Sequence, residues 1–271
     1  MNSIAVTGAD LSTAWLAACR AMSRTAPIAY HTVVRIHDPV TEDLRIRAAV
    51  DEILAAEDLQ PAETVAGTIF PAAIAATSRD HLELTRRYMA LLPTLKRLAP
   101  ANARGTYFSR LIDFPGPDGP VNQLDAVITR LRSETAKTGS GTGPLTACYE
   151  AGFTPPEADA LSTGSVIAAL AVPVRAPGPD TSVLMSFPCL SHCSFQLDRS
   201  GTVHAMAHYR SQLMVEKAYG NYLGLGQLLG YIAAQAGLTP GELTVTAGYA
   251  RLDHRRRLSL LLADPALATA A

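Results

Sequence analysis

Apolar positions recur along this chain with two different periods, and the change of period divides it. In the first half the spacing is mostly helical. "SIAVTG" predicts a short strand leading into a helix over "ADLSTAWLAACRAMS", with Asp10 or Ser12 near the helix start. "HTVVRIHDP" predicts a second strand, ended by Pro39. "RIRAAVDEILAAEDL" and "RDHLELTRRYMALLPTLKRL" carry apolar residues at helical spacing, and in "VNQLDAVITRLRSE" Leu124, Val127, Ile128 and Leu131 share one face. The small, apolar run "PAETVAGTIFPAAIAA" predicts a buried helix stopped by Pro71.

Past a Gly- and Ser-rich loop at 136–144 the period shortens to that of strands. "SVIAALAVPVRA" and "TSVLMSFPCL" read as strands with "PGPD" turning between them. "CSFQLDRSGTVHAMAHYRS" reads as a hairpin with its turn ending at Gly201. In its second arm Val203, Ala205, Ala207 and Tyr209 alternate with His204, Met206, His208 and Arg210. "KAYGNYLGLGQLLGYIAAQAG" predicts a long buried helix ended by Gly237. Its glycines fit a small-residue face against a sheet. A dinucleotide loop would need a strand before them and an acidic ribose ligand after them. "LTPGELTVTAGYARLD" predicts a turn at Pro240–Gly241 and a last strand.

Composition narrows the class. With 23 Lys+Arg against 24 Asp+Glu there is no charge excess to attract nucleic acid or an acidic membrane. No apolar run is long enough to span a bilayer, and no basic-then-apolar leader opens the chain. Four cysteines in 271 residues do not make a disulfide scaffold. The expectation is one cytoplasmic domain over 1–271, without nucleic-acid or membrane partners.

The densest chemistry lies in "SFPCLSHCSFQLD". With His204 and His208 downstream, it reads C-x3-C-x10-H-x3-H, near a zinc-finger spacing. The alternation of "VHAMAHY" instead places those histidines on a strand, about 13 Å apart at about 3.3 Å per residue. No metal is therefore expected. An extended segment also separates Cys189 from Cys193 beyond disulfide reach. Cys19, Cys148 and Cys193 are expected as small buried hydrophobes. Cys189 follows Pro188 and precedes an arginine-bearing strand, so two readings stay open: packing, or a nucleophile whose thiolate a nearby arginine favours.

Residues 186–253 resemble thymidylate synthase, and the likeness is ordered along the chain. "PCLSHCSFQL" stands for the family's Pro-Cys-His and its Gln-Phe strand, and "HYRS" for its Arg-Ser. Asn221 follows Arg210 at the family's eleven-residue spacing, ahead of the long helix and "AQAGLTPGELTVTAG". Upstream, "TYFSRL" and "GPVNQLDAVITRLRSE" resemble the family's Tyr-Gly-x-Gln-Trp-Arg and Asp-Gln-Leu segments, while "AETVAGTIFP" stands where the family has a Glu-Leu-Leu-Trp helix. The resemblance implies an α/β thymidylate synthase-like fold: a large mixed β-sheet with packed helices in a single domain, dimerising through a sheet face. The family-like core spans about 104–253, and 1–103 is divergent.

The resemblance also implies roles. Cys189 would add to C6 of a pyrimidine; Arg210 would lower its pKa and, with Ser211, hold a phosphate. Asn221 would pair with N3–H and O4 of uracil, since relatives acting on cytosine carry Asp there. Glu63 would move protons, and His192 would replace the histidine that follows the cysteine in the family. Gln196 joins the substrate side, and His204 and His208 share the strand face of Arg210. Where the family has Gly-Asp-x-His-x-Tyr, this chain has Gly248 to Asp253, so Arg251 and Asp253 become candidates for a rebuilt sugar site.

Leu213 replaces an aspartate, and "AKTGSGTG" replaces the Ser-Arg-Arg that reaches a neighbouring subunit's phosphate. Only 18 residues follow Asp253, so the folate-covering tail is expected to be missing. The implied activity is methyl or hydroxymethyl transfer to C5 of a pyrimidine nucleotide or nucleoside in specialised or modified-nucleoside metabolism. Its one-carbon donor would be 5,10-methylenetetrahydrofolate. Two alternatives stand beside it: a folate-independent enzyme using the same cysteine addition, and a non-catalytic binding or scaffold protein.

Overall fold

A computed structural model describes residues 2–99, 102–103, 105–116, 119–136, 148–152 and 189–268. In chain order the elements begin with β1 (Ala5–Asp10), α1 (Leu11–Thr25), β2 (Ile28–Asp38), α2 (Leu44–Ala56), α3 (Ala62–Ile69), α4 (Ala72–Ala75) and α5 (His81–Leu98). Next come α6 (Tyr107–Ile112), the short pair β3 (Phe114–Gly116) and β4 (Gly119–Val121), α7 (Gln123–Ala136) and β5 (Cys148–Gly152). The chain continues with β6 (Leu190–Leu197), β7 (Thr202–Leu213), a π-helical turn at Met214–Ala218 and α8 (Tyr219–Ala236). It closes with β8 (Thr239–Arg251), α9 (Arg255–Leu262) and α10 (Pro265–Ala268). The loop expected at 136–144 falls outside the described residues apart from Ala136, as do the strands expected over 165–176 and 181–188.

Six strands form one mixed sheet in the order β1-β2-β8-β7-β6-β5. The β1–β2 and β7–β8 pairs are parallel, and β2–β8, β7–β6 and β6–β5 antiparallel. The alternation read in β7 holds: Val203, Ala205, Ala207 and Tyr209 are buried, while Met206, His208 and Arg210 are exposed. The buried side joins Leu243, Val245 and Ala247 of β8 and packs with α1 and α8 in one hydrophobic cluster, which also takes in α5, α7 and α9. The opposite side leaves Tyr30, Val33, Arg35 and Met206 exposed. Among the described residues no helix is long and apolar enough to cross a membrane.

Local chemistry explains most boundaries. Asp10 caps α1, accepting from the Thr13 backbone N–H at 2.8 Å, and the Thr13 hydroxyl accepts from the Asp10 N–H in return. Ser12 is instead the second residue of that helix, fully buried and 2.7 Å from the Tyr219 hydroxyl. The helix expected to stop at Pro71 runs Ala62–Ile69, and past Pro71 there is only a separate turn, α4. Gly237 ends α8 at φ 70°, a left-handed position open to glycine.

Two expectations change. Pro240–Gly241 is strand and not a turn, since Pro240 already pairs with Val203 of β7. Pairing of β8 with β2 begins only at Leu243, so the missing proline N–H falls where no β2 partner exists. Gly220 and Gly224 of α8 face a helix, and Gly226 and Gly230 face Pro39 and Val40 after β2, where a sheet contact was expected. A Cβ on Gly220 would lie 2.6 Å from the Ala62 carbonyl oxygen and one on Gly224 2.7 Å from that of Ala66, so α3 rests directly on the α8 backbone.

Candidate functional site

The site starts from a flaw in a strand. Pairing of β6 with β7 runs from Leu197↔Val203 to His192↔His208 and then jumps to Leu190↔Tyr209. Ser191 is the extra residue, and its hydroxyl donates to the His208 carbonyl at 2.9 Å. Beyond this bulge the inward parity of β6 changes. Cys193, Phe195 and Leu197 are core on one side of it, and Leu190 on the other. Cys189 therefore leaves the buried series and is half-buried at the strand end.

Three elements hold Cys189 in place. Its carbonyl accepts the Arg210 backbone N–H at 2.9 Å, tying it to β7. The Tyr107 hydroxyl, from the first turn of α6, accepts the N–H groups of Cys189 at 3.2 Å and Leu190 at 3.4 Å. Burial pushes the Tyr107 phenol pKa up, and the neighbouring Cys189 pushes the same way, against a weaker pull from Arg210. Cys193 and Cys19 are fully buried, and burial raises both thiols well above the ordinary range.

A cavity of about 520 Å³ opens beside Cys189. Its walls are Gln60, Thr64, Val65 and Thr68 on the α3 side, Asn102 and Tyr107 near α6, and Ser211, Gln212 and Leu213 at the end of β7. Lys217 of the π-turn and Asn221 of α8 complete it. Asn221 is only 5% exposed, and its amide makes no hydrogen bond among the described residues. Its side chain lines the cavity, where water or a ligand can pair with the amide.

The π-turn is fixed from both ends of the chain. The Trp15 indole N–H donates to the Met214 carbonyl at 2.7 Å. The Asp253 carboxylate, 6% exposed, accepts the N–H of Val215 at 2.8 Å and of Glu216 at 3.0 Å. One residue into α8, Tyr219 donates to Glu42 at 2.9 Å, and Glu42 is paired with Arg47 at 3.0 Å.

Of the residues singled out in the sequence, the structure brings Cys189, Ser211 and Asn221 into one cavity. The others lie elsewhere. Glu63 is exposed on α3 and pairs with Arg47 at 3.3 Å, while Thr64 and Thr68 occupy the cavity side of that helix. Arg210 stands opposite Cys189 and is close enough to influence Tyr107, but its position belongs to the exposed side of β7. His192 pairs in register with His208, whose imidazole is 2.8 Å from the Thr246 hydroxyl.

Gln196 donates to Ser194 at 3.2 Å and lies between Cys148 and His204 in the sheet. His204 accepts the Glu242 N–H at 3.1 Å and is 3.5 Å from Asp198, so neither His204 nor His208 lines the cavity. Arg251 is exposed between Ile28 and Leu213, and Asp253 is buried under the π-turn, so neither forms a sugar site on this cavity.

Among the described residues, one group of three has metal-ligand character: Glu216, Asp253 and His254, with donor atoms within 4.8 Å. It is closed by protein partners. Both Asp253 oxygens accept backbone N–H groups, Lys217 sits 2.9 Å from Glu216, and Glu57 is 2.9 Å from His254.

Sequence reasoning missed Tyr107 and Lys217 as lining residues. Lys217 had a usable signal, since it precedes Asn221 by four residues, one helical turn. Tyr107 had none within its own segment. No protein-family model matches the chain, and no curated protein matches it.

Proposed function

We propose that this protein is a thymidylate synthase-like enzyme in which the Cys189 thiolate adds to C6 of a pyrimidine nucleotide or nucleoside, activating C5 for one-carbon transfer. The observation that carries this reading is the cavity that Cys189 shares with the Asn221 amide. An amide both donates and accepts, which suits the adjacent N3–H and O4 of uracil. Ser211 supplies a hydroxyl on the same wall. Addition makes the S–C6 bond and moves the C5–C6 π pair through C4 onto O4. A C5 nucleophile results; it takes a proton from water or a one-carbon unit, and when the triton on C5 then passes to water the enolate is restored and expels the sulfur.

Glu63 favours a second reading within the same chemistry. With that carboxylate outside, no carboxylate lines the cavity among the described residues, which suits a folate-independent outcome of the cysteine addition. The resemblance also implies a second copy against the open sheet face and, for transfer, 5,10-methylenetetrahydrofolate as donor.

The test is release of tritium from C5-labelled uridine and uridine monophosphate. Wild type is expected to release it and Cys189→Ala to lose release entirely. No release from wild type, or equal release from both, sinks the reading. Adding 5,10-methylenetetrahydrofolate and weighing the product then separates transfer from the folate-free outcome.

A further inference from the structure

The charge inside the cavity is uneven. Among the described lining residues Lys217 is the cationic side chain, and carboxylates are absent. Backbone N–H groups at the start of a helix could stabilise an anion, but here Asp253 already takes those of Val215 and Glu216. Positive charge at this end must therefore come from a side chain. Lys217 of the π-turn and Asn221 of α8 line the same cavity. One of the three ammonium donors meets Glu216 at 2.9 Å, and the others remain for a ligand.

We infer that Lys217 is a catalytic residue of this cavity, donating to the pyrimidine O4 as negative charge develops there. The inference rests on the cysteine-addition reading above. As the thiolate lone pair forms the S–C6 bond, the displaced π pair comes to rest on O4, giving an enolate. An ammonium lining the same cavity as the Asn221 amide stabilises that oxygen more than the neutral carbonyl it replaces, so it lowers the barrier to addition. Breaking the S–C6 bond returns the pair to the ring and the charge to sulfur. The arrangement gives the cavity a cationic stabiliser at the place where Glu63 does not reach.

The experiment compares wild type, Lys217→Met and Lys217→Arg in tritium release from C5-labelled uridine and uridine monophosphate. Affinities are measured in parallel on the Cys189→Ala background. Iodoacetamide labelling of Cys189 and thermal unfolding check that each variant keeps its cavity. Lys217→Met is expected to lose on the order of a hundredfold or more in release rate, equally for both substrates, with affinity changed only a few-fold. Lys217→Arg should restore part of the rate.

Loss confined to the monophosphate, and seen as weaker binding, would make Lys217 a phosphate ligand and overturn the inference. Unchanged release from Lys217→Met overturns it too. If wild type binds but releases no tritium, the cysteine-addition reading fails first and takes the inference with it.

Discussion

Cys189 and Cys193 stand four residues apart, one just ahead of β6 and one within it, yet they occupy different chemical worlds. Cys193 continues the inward series with Phe195 and Leu197, fully buried, and burial keeps its thiol protonated. Cys189 lies past the Ser191 bulge, half-buried, on the wall of a cavity, with its backbone held by Tyr107 and Arg210. Without the bulge, residues 189 and 191 would extend the buried series. One inserted residue thus separates a packing thiol from one that can react, which no inspection of residue type would reveal.

The sharpest way to break this comparison is to alkylate the native protein with iodoacetamide and follow each cysteine by peptide mapping. Cys189 should react faster than Cys193 and Cys19 by on the order of a hundredfold or more, because it is accessible while burial shields the other two and keeps them protonated. Comparable rates for Cys189 and Cys193 would erase the distinction.

A smaller effect is expected at the Tyr107 anchor. Tyr107→Phe leaves the N–H groups of Cys189 and Leu190 without their acceptor, and urea unfolding should show a loss of about 1–3 kcal/mol. A loss near zero would mean that water replaces the hydroxyl and that the anchor is dispensable.

The smallest effect concerns the strand pair between the two cysteines. His208 titrates below its ordinary value, first because it is desolvated and then because His192 and His31 are nearby. The unfolded chain therefore binds this proton more readily than the folded one. Stability present at neutral pH should fall as pH drops through about 6.5, levelling off below the folded value. In an NMR titration, His192→Asn should raise the His208 midpoint; an unmoved midpoint would leave burial as the whole cause.

Much of the framework was legible from periodicity. The β6–β7 hairpin, α7 with its four-residue apolar face, and the end of α8 at Gly237 all follow from local pattern. The candidate site was legible only in part. Cys189, Ser211 and Asn221 were candidates through the resemblance and share one cavity, while the bulge that frees Cys189 has no sequence signal. Glu63 failed because helical phase decides which neighbour faces inward, and Thr64 and Thr68 hold that phase.

Asp253 was a candidate because it falls where the resembled family has its sugar-holding Gly-Asp-x-His-x-Tyr. Its partners are backbone groups of a π-turn that no side-chain pattern announces. Pro240–Gly241 looked like a turn because those residue types usually make one. The parallel partner β7 overrides that preference.

The seating of α3 on α8 has a use beyond packing. Gly220 and Gly224 offer no side chain, so backbone meets backbone, and the wall bearing Thr64 and Thr68 stands as close to Asn221 as two helices permit. Those two absent methyl groups act as a width gauge for whatever enters. An alanine at position 224 would wedge the helices apart and widen the slot, shifting its tolerance toward bulkier rings. The width of this cavity is thus set from behind the wall, by glycines that do not line it.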